Sequence, residues 1–96
     1  MGVIRVQSIC GAADTGPQGD KLYDVMSAAL SRYDQIVISF DGVDTATSSF
    51  VNASFVRLLS HVSFDEIKQR LKVINSTRQI NDMIKRRLTR EATVAA

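Results

Sequence analysis

The stretch Ile36–Phe55, IVISFDGVDTATSSFVNASF, constrains this chain most. It opens with Ile36, Val37, Ile38, Ser39 and Phe40, a run with almost no polar side chain. Such a run predicts a strand covered on both faces. It breaks at Asp41-Gly42, passes through a loop rich in Ser and Thr, and resumes with helical spacing. The hydroxyl-rich loop therefore follows the carboxyl end of a buried strand, where open α/β sheets place their binding sites.

The flanking segments alternate in type. Val3–Cys10 predicts a first strand, with a loop over 11–19 punctuated by Gly16-Pro17. Pro17 also suits the first turn of a helix. Leu22, Val25, Met26, Ala29, Leu30 and Tyr33 recur at i, i+3, i+4, i+7 spacing and predict a helix from Asp20 to Tyr33. The second strand spans 36–41. A second helix starts at Ser48 or Ser49, either of which can cap it, and carries Val51, Phe55, Leu58, Leu59 and Val62 on one face. Ser63 with Glu66 forms a capping-box pattern opening a short further helix. Leu71–Ile74 predicts the third strand. Ser76 with Gln79 repeats the capping pattern and opens a last helix with Ile80, Met83, Ile84 and Leu88 inward and Arg78, Asp82 and Arg86 outward.

The order β-α-β-α-β-α predicts an α/β fold, a mostly parallel sheet with helices packed on it and the second strand central. Ninety-six residues make one domain, expected over 1–90, with a frayed tail over 91–96. No apolar run approaches the roughly 20 residues that span a bilayer, so no membrane association is expected. The single cysteine, Cys10, cannot form an internal disulfide, which points to a reducing, cytoplasmic setting. It reads as a small buried hydrophobe.

Little chemistry is on offer. The five glycines form neither a dinucleotide fingerprint nor a P-loop. One cysteine and one histidine, His61, cannot build a zinc or haem site. Asp41 and Asp44 share a loop, but Asp-Gly is also good turn chemistry. No nucleophile, base and oxyanion donor converge on a motif. The expectation is a non-enzyme without metal or cofactor.

Two features remain. One is the hydroxyl cluster Thr45, Thr47, Ser48, Ser49 and Ser54. A hydroxyl there can cap the helix or accept a phosphate, which would add about two negative charges to the surface. The other is charge asymmetry. Residues 1–67 hold four basic and eight acidic side chains, whereas 68–96 hold eight basic and two acidic. The basic third, with Lys68, Arg70, Lys72, Lys85, Arg86, Arg87 and Arg90, suits nucleic acid or nucleotide, an acidic partner, or simply a solvated helix face. Few aromatics lie nearby, which counts against stacking on single strands.

The chain resembles the small STAS-like domains of an uncharacterised bacterial and archaeal family, related to anti-sigma factor antagonists. The resemblance rests on Phe40-Asp41-Gly42-Val43, Ser49-Phe50, Phe55-Val56-Arg57-Leu58, Val73-Ile74-Asn75 and the stretch Ile80–Arg87, in that order across residues 15–90. In the antagonists an Asp-Ser-Ser-Gly segment opens a helix, and its first serine is phosphorylated by a histidine-kinase-like ATPase that is also the anti-sigma factor. Thr47-Ser48-Ser49-Phe50 stands at that place, with Thr47 for the acidic residue and Phe50 for the glycine. Thr15-Gly16 stands where relatives often carry Ser-Arg, and Asn52-Ala53 where they carry acidic residues. The resemblance implies a regulatory protein-interaction module with Ser48, or Ser49, as phosphorylation candidate. Its docking surface would comprise Asp41, Asp44, Thr45, Thr47, Ser48 and Asn52. Its partner would be a histidine-kinase-like ATPase or anti-sigma factor. The alternative is a nucleic-acid or nucleotide-binding accessory domain using Lys72, Lys85, Arg86, Arg87 and Arg90.

Overall fold

The computed structural model describes residues 2–95, with side chains through residue 92. Three strands, β1 (Gly2–Arg5), β2 (Ile36–Ser39) and β3 (Leu71–Ile74), form one sheet in the order β1-β2-β3. Both pairings are parallel, with Ile4 opposite Ile38 and Ile38 opposite Val73. The central position of β2 agrees with its apolar run, since all four of its residues are buried. Ile4, Ile36 and Ile38 join a core with Leu22, Met26, Phe50, Phe55 and Ile80. Val37 is buried but outside that cluster, on the opposite face in register with exposed Val3 and Lys72.

β1 is shorter than the predicted 3–10. After Arg5 the chain turns into helix α1 (Val6–Cys10). Val6, Ile9 and Cys10 fall at i, i+3 and i+4, and Val6 and Cys10 are buried while Gln7 and Ser8 face solvent. Helical spacing over these five residues outweighs their β-branched content. Gly11 closes the helix at φ 79° and returns its N–H to the Gln7 carbonyl.

Helix α2 (Gly16–Arg32) begins four residues before the predicted Asp20. Thr15 and Gln18 form a reciprocal capping box, and Pro17 sits in the first turn. Its buried face is Gly19, Leu22, Tyr23 and Met26. Val25, Ala29 and Leu30 are half-buried, and Tyr33 is 42% exposed. Tyr33 leaves the expected stripe because its backbone is already extended, at φ −126° and ψ 142°.

The predicted second helix is two pieces. Helix α3 (Ser48–Ala53) ends at Ser54, and a 3-10 helix follows over Val56–Ser60. Ser54 is fully buried and donates its hydroxyl to the Phe50 carbonyl at 2.7 Å. That back-bond, with ψ −82° at Ser54, bends the chain there. Val51, Phe55 and Leu58 stay buried across the break.

Helix α4 (Phe64–Arg70) is capped by Ser63, as expected, and runs directly into β3. Helix α5 (Arg78–Ala95) buries Ile80, Ile84 and Leu88. Its helical backbone continues through 91–95, where a frayed tail was expected; residue 96 lies outside the described residues. The expected Ser76–Gln79 box is absent. Thr77 Oγ1 accepts the Ile80 N–H instead, and Gln79 is engaged elsewhere.

Candidate functional site

The loop between β2 and α3 leaves the sheet through a tight turn. The Val43 N–H returns to the Phe40 carbonyl at 2.8 Å, and Gly42 takes φ 83°, which side-chain-bearing residues rarely adopt. The Gln7 side chain lies against Gly42, where a Cβ would come within 2.3 Å of its Oε1. Below the turn, Ser39 Oγ accepts from the Asp41 N–H at 3.3 Å and from Asn75 Nδ2 at 3.1 Å. Asn75, at the end of β3, holds φ 54°. Its amide therefore ties the carboxyl ends of two neighbouring strands.

The loop is then clamped from both sides. On one side, the Thr47 N–H donates to the Ala13 carbonyl at 3.0 Å, and Thr47 Oγ1 donates to the Asp14 carbonyl at 2.9 Å. On the other, Thr77 Oγ1 donates to the Asp44 carbonyl at 2.8 Å. Gln79 accepts the Ala46 N–H and donates to the Ala46 carbonyl, both at 2.9 Å. Val43 and Ala46 point inward and are buried, while Asp41, Asp44, Thr45, Thr47, Ser48 and Ser49 are exposed. The loop is thus an ordered shelf with polar side chains on its outer surface.

The helix cap is Thr47, not Ser48 or Ser49. Its Oγ1 accepts the Phe50 N–H at 3.2 Å while donating to Asp14. One hydroxyl therefore closes two contacts, and adjacent hydroxyls offered the sequence no means of ranking them. Ser48 and Ser49 become the first two helical residues. Neither of their hydroxyls makes a hydrogen bond among the described residues.

Asn52 is placed differently from the other expected docking residues. It is half-buried, and its Oδ1 accepts from Arg87 Nε at 2.9 Å, tying α3 to α5. Arg87 also pairs with Glu91 at 3.4 Å. The basic residues are spread over α4, β3 and α5. Arg70 wraps the end of α2, donating to the carbonyls of Leu30, Tyr33 and Asp34 at 2.7–3.0 Å, where a cation suits the helix dipole. Lys72 lies on the sheet, and Lys85, Arg86 and Arg90 are exposed on α5.

Gln79, Thr77 and Asp14, which hold the loop with Asn75, carried no functional signal in the sequence, and Asn75 enters there only as the end of a family motif. Their contacts to it span 33 to 36 residues. Cys10 is buried, its Sγ donating to the Gln18 carbonyl at 3.2 Å. Burial pushes the thiol above its ordinary pKa, against the opposing pull of Lys21. His61 is hydrogen-bonded to the Tyr23 hydroxyl, with Arg57 stacked 4.2 Å from the Tyr23 ring centroid. No group of three His, Cys, Asp or Glu gathers in metal-binding geometry among the described residues. No helix among them is long and apolar enough to cross a membrane.

No curated protein and no solved structure matches the chain. A family model described as "STAS-like domain of unknown function (DUF4325)" matches residues 18–81. That span runs from the first turn of α2, through the central strand and the clamped loop, to the first turn of α5. With well over half its length matched, the chain belongs to this family of STAS-like domains.

Proposed function

We propose that this domain is a non-catalytic regulatory module that docks a protein partner through the loop 41–49. The partner class is a histidine-kinase-like ATPase or a similar regulator, as for anti-sigma factor antagonists, and Ser48 is the point of control. The carrying observation is the division of labour at the start of α3. Thr47 does the capping, and Ser48 and Ser49 are exposed with hydroxyls that make no hydrogen bond among the described residues. A phosphate on either would break no hydrogen bond described in the fold. It would add about two negative charges to the docking surface, and a partner seated there would be rejected. Clamping on both flanks supports the same reading, because a pre-ordered surface binds without the cost of ordering a loop.

Nucleic-acid or nucleotide binding has less support. Of the residues it would use, Arg87 is committed to Asn52 and Glu91, and Lys72 lies on a different element from Lys85, Arg86 and Arg90.

The test is calorimetric titration of wild type, Ser48→Asp and Ser49→Asp against the histidine-kinase-like ATPase of the same organism. The expected result is binding by wild type and at least about tenfold weaker binding by Ser48→Asp, the loss of roughly 1.4 kcal/mol. Equal affinities would remove Ser48 as the control point. Absence of wild-type binding would remove that partner class.

A further inference from the structure

We propose that the cleft bounded by α4, β3 and α5 binds an amphipathic carboxylate, a fatty-acid-like molecule with one aliphatic chain. The cleft encloses about 530 Å³. Its deep wall is built from Phe55, Ile67, Ile84 and Leu88, all buried core side chains drawn from different parts of the fold. Phe64, Leu71 and Val73, each half-buried, form the shallower wall. The cleft exists because β3 is an edge strand, and α4 and α5 flank it without filling the space between them.

The charge around this apolar space has one sign. Lys68 of α4 and Lys85 of α5 line it, and no Asp or Glu does among the described residues. Lys85 has no partner among the described residues. Lys68 lies 4.8 Å from the Phe64 ring centroid and only 4.0 Å from the exposed Asp65 carboxylate, a pair of little strength. Asn81 also lines the cleft and commits its Oδ1 to the Ser76 hydroxyl, which leaves its amide N–H groups for a ligand. An ionised carboxylate only accepts hydrogen bonds and matches two ammonium donors. The volume falls within the range of small-molecule sites.

The experiment titrates the wild-type protein with sodium decanoate, below its aggregation concentration, by calorimetry and by thermal shift. Decanol and octanoate serve as head-group and chain-length controls. Decanoate should bind saturably at one site and raise Tm. Octanoate should bind more weakly, by about fourfold per methylene removed. Decanol, and decanoate with the Lys68→Glu/Lys85→Glu variant, should each bind at least about tenfold more weakly. Both lysines are exposed, so the variant should keep the wild-type fold, checked by circular dichroism. Absence of saturable decanoate binding, equal affinity for decanol, or undiminished binding by the lysine variant would overturn the proposal. So would a concentration-dependent dimer that the lysine variant fails to form, which would assign the cleft to a second copy of the chain.

Discussion

The side-chain amide of Gln79 pairs with the backbone of Ala46 as a neighbouring strand would. Its Oε1 accepts the Ala46 N–H and its Nε2 donates to the Ala46 carbonyl, each at 2.9 Å. Ala46 is 2% exposed with the exposed Gln79 side chain laid over it. Two polar groups of a loop residue are thereby satisfied by one side chain from the first turn of α5.

Gln79→Ala should therefore destabilise the domain by about 1–3 kcal/mol, because it removes the partners of a half-buried donor and a half-buried acceptor together. Urea denaturation measures the loss. Hydrogen exchange should show the Ala46 N–H losing protection. An unchanged midpoint would mean that the loop holds its course without the clamp. Gln79→Glu keeps the acceptor and removes the donor. It should retain the Ala46 N–H contact and still lose stability, since a carboxylate would face the Ala46 carbonyl.

Three consecutive hydroxyls at the start of α3 should respond unequally to alanine. Thr47→Ala removes the cap and the bond to Asp14, and should cost about 1–2 kcal/mol. Ser48→Ala and Ser49→Ala should stay within about 0.5 kcal/mol of wild type, because neither hydroxyl makes a hydrogen bond among the described residues. Thermal melts of the three variants check this. A Ser48→Ala loss as large as that of Thr47→Ala would show Ser48 to be structural.

Gly19 lies where α2 crosses α3. A Cβ there would sit 2.4 Å from the Phe50 carbonyl oxygen and 2.8 Å from the Ala53 Cβ. In an exposed helix Gly→Ala stabilises by up to about 1 kcal/mol. Here the nearest obstacle is backbone, which cannot rotate away, so overpacking decides the sign. Gly19→Ala should destabilise by about 1–3 kcal/mol in urea denaturation. A gain in stability would mean that the two helices separate at little cost.

The parts of this fold legible in the sequence are those coded locally. The apolar run 36–40 announces a central strand because a parallel strand buried between neighbours needs no polar face. Ile80, Ile84 and Leu88 announce their helix by spacing alone. Residues 6–10 read as a continuation of the strand because Val6, Ile9 and Cys10 satisfy a helical period over only five residues, too short to stand out from an adjoining strand. Thr15 and Gln18 are a legible capping box, obscured by the Gly-Pro that follows Thr15. The hydroxyl cluster marked the candidate site, but its order comes from Asp14, Thr77 and Gln79. No local rule connects those residues to Ala46 or Thr47, because their contacts exist only once the sheet has brought the segments together.

Cys10 offers a readout of core integrity through pH. Burial raises its thiol pKa in the folded chain, with Lys21 opposing only in part. A thiol whose pKa is raised by folding contributes its full stability while both states are protonated. That contribution is lost as pH rises from the unfolded value, about 8.5, through the higher folded value. The stability difference between wild type and Cys10→Ala should therefore be constant from neutral pH up to about pH 8 and shrink above it. Most other titrations are common to both chains and cancel in the difference. Urea denaturation of the pair across this range measures it. The same burial predicts that the folded thiol reacts with an aromatic disulfide reagent far more slowly than the unfolded one at mildly alkaline pH. A gap that widens with pH would mean that the folded state stabilises the thiolate, and that the Lys21 ammonium rather than desolvation governs the site.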